Sequence, residues 1–204
     1  MKLINTAKNI EIKCRNIIIR PITCELITSK YLSWLNDSDI NQYLEIRNTI
    51  STNESVIDYI NQTRKKDGCE FFAILVNGTE HIGNINLTCF NPNSIGYAQY
   101  GLMIGDKRAQ NLGIGGLASI MIAEYLFSYS EIRKIEHFPI SANERSWKTA
   151  ETLGYIREGA LRQHDKLSNG EYTDTFIYGM FKTEWLIHRN KFSSILKNFQ
   201  ISKF

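Results

Sequence analysis

Apolar positions along this chain follow two rhythms, and the changes between them mark out the elements. Ile17-Ile18-Ile19-Arg20-Pro21-Ile22 reads as a strand with Pro21 near its end. Residues 25–35 read as a helix with Leu26, Tyr31, Trp34 and Leu35 apolar, broken by Asn36-Asp37-Ser38-Asp39. A second helix, capped by Ser51 or Thr52, is expected over residues 53–63. Phe71-Phe72-Ala73-Ile74-Leu75-Val76 is a strand, Asn77-Gly78 a hairpin signal, and residues 81–89 the next strand. Asn91-Pro92-Asn93-Ser94 turns the chain into a strand over residues 96–104, which precedes a long apolar helix over about 117–129. A short strand over 134–140 and a helix over 143–153 stopped by Gly154 come next. A strand from Tyr155, a second hairpin signal at Asn169-Gly170 and a strand over 172–181 close the set.

The order β-α-α-β-β-β-α-β-α-β-β predicts a mixed α/β (α+β) domain whose N-terminal sheet is largely antiparallel. No repeat or linker divides the chain, so one domain over residues 1–204 is expected, with its core over about 10–185. Beyond it runs a basic tail, residues 183–204. Its Trp185, Phe192, Leu196 and Phe199 fall at helical spacing, which predicts an amphipathic helix packed on the domain.

Composition narrows the function classes. With 204 residues, 43% apolar and 22% charged, the chain is of ordinary globular make-up. A net charge of +3 is too small to imply a nucleic-acid partner, and the basic tail accounts for all of it. No apolar h-region starts the chain and no apolar run approaches the roughly 18 residues that span a bilayer. A cytoplasmic protein with no membrane partner is therefore expected. Cys14, Cys24, Cys69 and Cys89 are widely spaced, as are His81, His137, His164 and His188, which predicts reduced, mostly buried thiols and no metal site.

The stretch Gln110-Asn111-Leu112-Gly113-Ile114-Gly115-Gly116 lies between a strand and a helix. Glycines there leave backbone N–H groups uncovered at the positive end of a helix, an arrangement that cradles phosphates. The Lys-Ser/Thr that completes a P-loop is missing after Gly116, which argues against a nucleotide-binding loop of that kind.

Gln110-x-x-Gly113-x-Gly115 in this setting resembles the cofactor loop of the GCN5-related N-acetyltransferase (GNAT) superfamily. Other markers follow in the family's order: Ile104-Gly105-Asp106-Lys107, Asn143-Glu144-Arg145-Ser146, Leu153-Gly154-Tyr155 and Glu158-Gly159-x-Leu161-Arg162. With Ile19-Arg20-Pro21 and Tyr31-Leu32-x-Trp34-Leu35-Asn36-Asp37 near the start, they are similar to the ribosomal-protein N-terminal acetyltransferase branch. The resemblance covers about residues 17–185. It implies a twisted sheet splayed at its central strands and acetyl-CoA as co-substrate, with no metal.

It also implies site residues. Gln110, Asn111, Leu112, Gly113, Ile114, Gly115 and Gly116 would hold the pyrophosphate. A bulge in the strand ending Leu102-Met103-Ile104 would free amides for the pantetheine arm, and an N–H near Met103 would polarise the thioester carbonyl. Asn143 matches a pantetheine contact and Ser146 lies near the sulfur. Candidate catalytic positions are Ser146, Tyr155 and Gln99. Ser146, Tyr155 or water would protonate the leaving thiolate. Gln99 stands where many relatives carry a basic Glu, and Gln cannot titrate. The position where other relatives carry a Tyr acid is Ala150. Glu45, Asp106, His137 and Asp165 are the candidates for a proton relay through water.

The acceptor is expected between residues 37 and 52 and at the Asn169 hairpin, with Tyr43, Glu45 and Arg47 as candidate contacts. The expected reaction is direct acetyl transfer to a primary amine, a protein N-terminus first and an amino sugar or other small amine next. The protein would act as a monomer or homodimer. A non-catalytic acyl-CoA sensor is the alternative that the Gln99 and Ala150 departures keep open.

Overall fold

The computed structural model describes residues 9–89, 96–129 and 131–203. The expected turn at Asn91-Pro92-Asn93-Ser94 lies outside them. In chain order the first elements are β1 (Ile10–Cys14), β2 (Ile17–Pro21), α1 (Ser29–Leu35), α2 (Ser38–Asn41), α3 (Asn53–Lys65), β3 (Cys69–Val76), β4 (Glu80–Cys89) and β5 (Tyr97–Ile104). Then come α4 (Ile114–Tyr129), β6 (Lys134–His137), α5 (Glu144–Leu153), β7 (Ile156–Lys166), β8 (Tyr172–Phe181), α6 (Lys182–His188), α7 (Ser193–Leu196) and β9 (Phe199–Lys203). The strands form one sheet in the order β7-β8-β6-β5-β4-β3-β2-β1-β9. Neighbours are antiparallel except β5 and β6, which are parallel because α4 carries the chain back to the end of the sheet where β5 begins.

Both faces of the central strands are covered, which explains the unbroken apolar run in β3. Phe72 and Ile74 face the α4 side, while Phe71, Ala73 and Leu75 face α1 and α3 with Trp34, Val56 and Ile60. At Asn77-Gly78 both residues have positive φ (51° and 79°), the backbone a two-residue I′ turn requires. Thr52 caps α3 in a capping box with Ser55, and Gly154 ends α5 at φ 97°.

Several expectations need correction. The helix expected over 25–35 is a 3-10 turn (Cys24–Leu26) followed by α1, because the Thr28 hydroxyl accepts the Tyr31 N–H and sets the true start. At Asn169-Gly170 only Gly170 has positive φ, and its N–H donates to the Leu167 carbonyl at 2.9 Å. That gives a three-residue loop with a bulge instead of the two-residue turn. Of the four cysteines, all free, only Cys14 is fully buried and Cys24 is exposed.

The tail differs most. It is not one helix: α6, a 3-10 turn and α7 lead into β9, which pairs with β1 at the sheet edge. α4 is apolar nearly all round and so must be covered on more than one side. The tail supplies that cover. Trp185 is fully buried, lies beside Phe127 and Phe192, and donates its indole N–H to Glu124 of α4 at 2.9 Å. Arg189 neutralises the same buried carboxylate at 2.5 Å. The core therefore extends through the C-terminal segment instead of ending near residue 185.

Candidate active site

The site begins where β5 and β6 part. Their pairing runs from Tyr97↔Lys134 to Gln99↔Glu136 and stops, since β6 ends at His137 and Pro139 follows. β5 continues to Ile104 beside β4 alone. No bulge produces this gap: the β4–β5 register is continuous from Cys89↔Ala98 to Gly83↔Ile104, which corrects the bulge expected at residues 102–104.

Backbone groups in a strand alternate sides. The Gly96 carbonyl accepts the Arg133 N–H and the Gly105 N–H donates to Ile82, so even residues of β5 face the gap and odd ones face β4. A Cβ on Gly83 of β4 would collide with the Met103 carbonyl, in agreement. The amide turned into the gap is thus that of Leu102, with that of Ile104 beyond it, and Met103 is bound into the ladder. The carbonyl of Ile104 is taken by the Gln110 side chain at 2.9 Å, which ties the loop to the end of β5.

The loop itself curls through Asn111 (φ 62°) and Gly113 (φ 75°). Asn tolerates that region and Gly favours it. α4 starts at Ile114, so Gly115 and Gly116 belong to its first turn. The N–H of Leu117 returns to the Gly113 carbonyl, and the N–H groups of Ile114, Gly115 and Gly116 precede the helical ladder. They point out of the positive end of a 16-residue helix. A hollow of about 900 Å³ adjoins them, lined in part by Leu112, Gly113 and Gly116 and by the cations Arg15, Arg145 and Lys148. That chemistry fits a polyanionic ligand.

On the α4–α5 side of the gap, His137 Nε2 lies 2.9 Å from Ser146 Oγ. The imidazole also meets the backbone carbonyl of Tyr100. Burial pushes the imidazole pKa down to about 4, against the opposing pull of that carbonyl, so the ring is neutral at neutral pH. Asn143 caps α5, its Oδ1 accepting the Ser146 N–H at 3.3 Å. Tyr155 is buried in the core at 4% exposure, its hydroxyl on that of Tyr100 at 3.4 Å. Burial raises its pKa well above the ordinary phenol value. Its ring packs edge-on against that of His137.

The opposite face of the sheet forms an open cleft beside the gap. A Cβ on Gly101 would meet nothing within 4 Å. Beside it, Gln99 donates to Glu136 at 3.2 Å, and Lys134 bridges Glu136 and Glu158. Glu136 carries no motif signal: it reaches the site only through the strand register. Across the cleft, Tyr59 and Asn86 are bonded at 2.9 Å, and Glu45 lies near Tyr59.

Arg47, expected as an acceptor contact, is bonded within the protein. Its guanidinium donates to the carbonyls of Lys166 (2.9 and 2.7 Å) and Leu44 (2.9 Å) and pairs with Asp165 at 3.3 Å. Asp165 also accepts from Thr175. Arg47 thereby ties the segment of Tyr43 and Glu45 to the β7–β8 hairpin. Replacing Arg47 with alanine is expected to raise the KM of the acceptor about tenfold and leave acetyl-CoA affinity unchanged, read by steady-state kinetics and calorimetry. Asp106 follows the end of β5 and lines the hollow beside the loop. It is buried, bonded to Arg108 and Lys30, and those partners hold its pKa far below the usual carboxylate range.

Known proteins match this chain and its fold. Residues 16–156 match the model of the acetyltransferase (GNAT) domain. An uncharacterised N-acetyltransferase, p20, of Bacillus licheniformis is 24% identical over 153 residues, 74% of this chain and 84% of its own. A spermidine N-acetyltransferase from Vibrio cholerae, solved with CoA and spermine, superposes with TM-score 0.74 at 17% identity over 84% of this chain and 98% of its own. A ribosomal L7/L12 alpha-N-protein acetyltransferase in complex with CoA gives TM-score 0.74 at 15% identity, over 84% and 97%. Among the described residues no cluster of three metal-ligating side chains occurs, and no helix is long and apolar enough to cross a membrane.

Proposed function

This chain belongs to the GNAT acetyltransferase domain family and is an N-acetyltransferase, and from that premise we propose that it moves acetyl directly from acetyl-CoA to a cationic primary amine, a protein N-terminus first. The observation that carries the reading is the gap between β5 and β6, open to a polyanion-binding loop on one side and to an acidic cleft on the other.

In this reading the N–H groups of residues 113–116 take the pyrophosphate, with Gln110 and Asn111 holding the loop in shape. The pantetheine arm lies along β5 as an added strand, bonded to the Leu102 backbone, with Asn143 alongside. The Leu102 or Ile104 amide polarises the thioester carbonyl. Ser146 stands at the sulfur. The amine enters over Gly101, attracted by Glu136, Glu158 and Asp165.

The cations at the cleft are already paired, Arg47 with Asp165 and Lys134 with Glu136 and Glu158. This disfavours a phosphate-bearing acceptor such as a nucleotide-linked amino sugar. The spermidine and ribosomal-protein acetyltransferases of like fold are consistent with either a polyamine or an N-terminal peptide. The test is CoA thiol release with a panel of N-terminal peptides, polyamines and amino sugars. Release with peptides or polyamines supports the reading. Release only with nucleotide-linked sugars overturns the acceptor class, and tight acetyl-CoA binding with no release by any amine favours the sensor alternative.

A further inference from the structure

Acetyl transfer to an amine needs one proton taken from nitrogen and one delivered to sulfur. Gln99 cannot accept the first, and the Tyr155 hydroxyl is buried against that of Tyr100. The gap instead holds a hydroxyl and an imidazole in contact, Ser146 Oγ to His137 Nε2 at 2.9 Å. The shuttle requires the ring hydrogen on Nδ1, away from the Ser146 contact. Nε2 is then the bare nitrogen and the Ser146 O–H donates to it. A serine whose proton already points at a neutral imidazole is set to receive a proton, because its oxygen lone pairs face outward.

Resting on the acetyl-transfer reading, we propose that Ser146 and His137 form one proton shuttle that serves as base for the amine and then as acid for the thiolate. Attack by the free amine forms the C–N bond and moves the carbonyl π pair onto oxygen. The nitrogen's surplus proton passes to Ser146 Oγ as the serine's own proton passes to His137 Nε2. When the carbonyl re-forms and the C–S bond breaks, sulfur takes the bond pair and the proton of Ser146, and His137 returns its proton to the serine. Nitrogen and sulfur are bonded to the same carbon in the intermediate, so one hydroxyl reaches both. One proton has moved from nitrogen to sulfur and both side chains are restored. Ser146 is the catalytic residue. His137 acts through it and is a positioning residue that also holds the proton.

The surroundings of the ring favour its neutral resting form. Facing it are Tyr100 from β5, Tyr155 beyond α5, Tyr178 from the paired position of β8 and Ser146 from α5. None carries an ordinary charge at neutral pH, and burial pushes His137 down to about 4. The imidazolium is short-lived, so the proton is returned readily to the thiolate.

The experiment compares wild type with Ser146→Ala, His137→Gln and the double variant, using the most active amine of the panel. Each single change is expected to lower kcat about 100-fold, the double change to cost little more, and acetyl-CoA affinity by calorimetry to stay within about twofold. Between pH 5.5 and 9 the one ionisation in kcat/KM is expected to be that of the amine, shifting with the amine's own pKa. Long-range proton–nitrogen NMR of the unliganded protein is expected to show His137 with hydrogen on Nδ1. That measurement needs no acceptor, so it separates failure of the pair from failure of acetyl transfer itself. The proposal is overturned by a Ser146→Ala variant that keeps half of kcat, by hydrogen on Nε2, or by an acetyl group trapped on Ser146. Ser146 lies in the first turn of a helix and its alanine variant keeps the fold, so loss of folding in His137→Gln leaves the test intact.

Discussion

Leu102→Pro is expected to lower kcat by about 100- to 1000-fold while the protein stays folded, the effect of removing one oxyanion donor. Proline deletes an N–H. The alternation along β5 turns the Leu102 N–H into the gap, where no strand pairs with it, so the sheet loses no ladder bond. Leu102 also packs against the core, and Leu102→Ala measures that loss alone because it keeps the amide. The ratio of the two variants isolates the N–H. Met103→Pro is the opposite case: its N–H belongs to the β4 ladder, and this variant is expected to lose structure by circular dichroism. Equal kcat for Leu102→Pro and Leu102→Ala would remove the amide from catalysis.

Trp185→Ala is expected to cost about 3–5 kcal/mol of unfolding free energy in urea titration. The side chain is fully buried between α4 and the C-terminal segment, and its removal leaves a cavity under Phe127 and Phe192. Glu124 also loses its indole donor and keeps Arg189. Trp185→Phe retains most of the ring volume and should cost less, about 1–3 kcal/mol for the unpaired carboxylate bond together with the smaller ring. A loss below about 1 kcal/mol for Trp185→Ala would mean that the tail is an appendage. A large loss makes residues 182–203 part of the domain, because α4 would otherwise present apolar surface to water.

That dependence was hidden in the sequence for a definable reason. The spacing of Trp185, Phe192, Leu196 and Phe199 suits one helix, and local periodicity cannot register that Phe199 pairs with Cys14 of β1. Strand pairing across nearly the whole chain leaves no local trace. The same holds for Glu136, brought beside Gln99 by a parallel register that only the α4 crossover creates. Arg47 shows the converse. Its charge invited an acceptor role, and the β7–β8 hairpin, distant in sequence, takes three of its hydrogen bonds while Leu44 takes another.

What the sequence determined by itself is what local chemistry can encode. The glycine loop, the β3 run, the Asn77-Gly78 turn, the Thr52 cap and the Gly154 stop each follow from backbone propensity or periodicity within a few residues. Together they are enough for the mixed sheet and for the turn of the glycine loop into α4. The tertiary structure decided the rest: where β5 and β6 part, which amide faces that gap, that Ser146 meets His137, and that Tyr155 is buried against Tyr100. Those are relations between side chains on different elements, set by strand parity and helix packing, and neither is written at any one position of the chain.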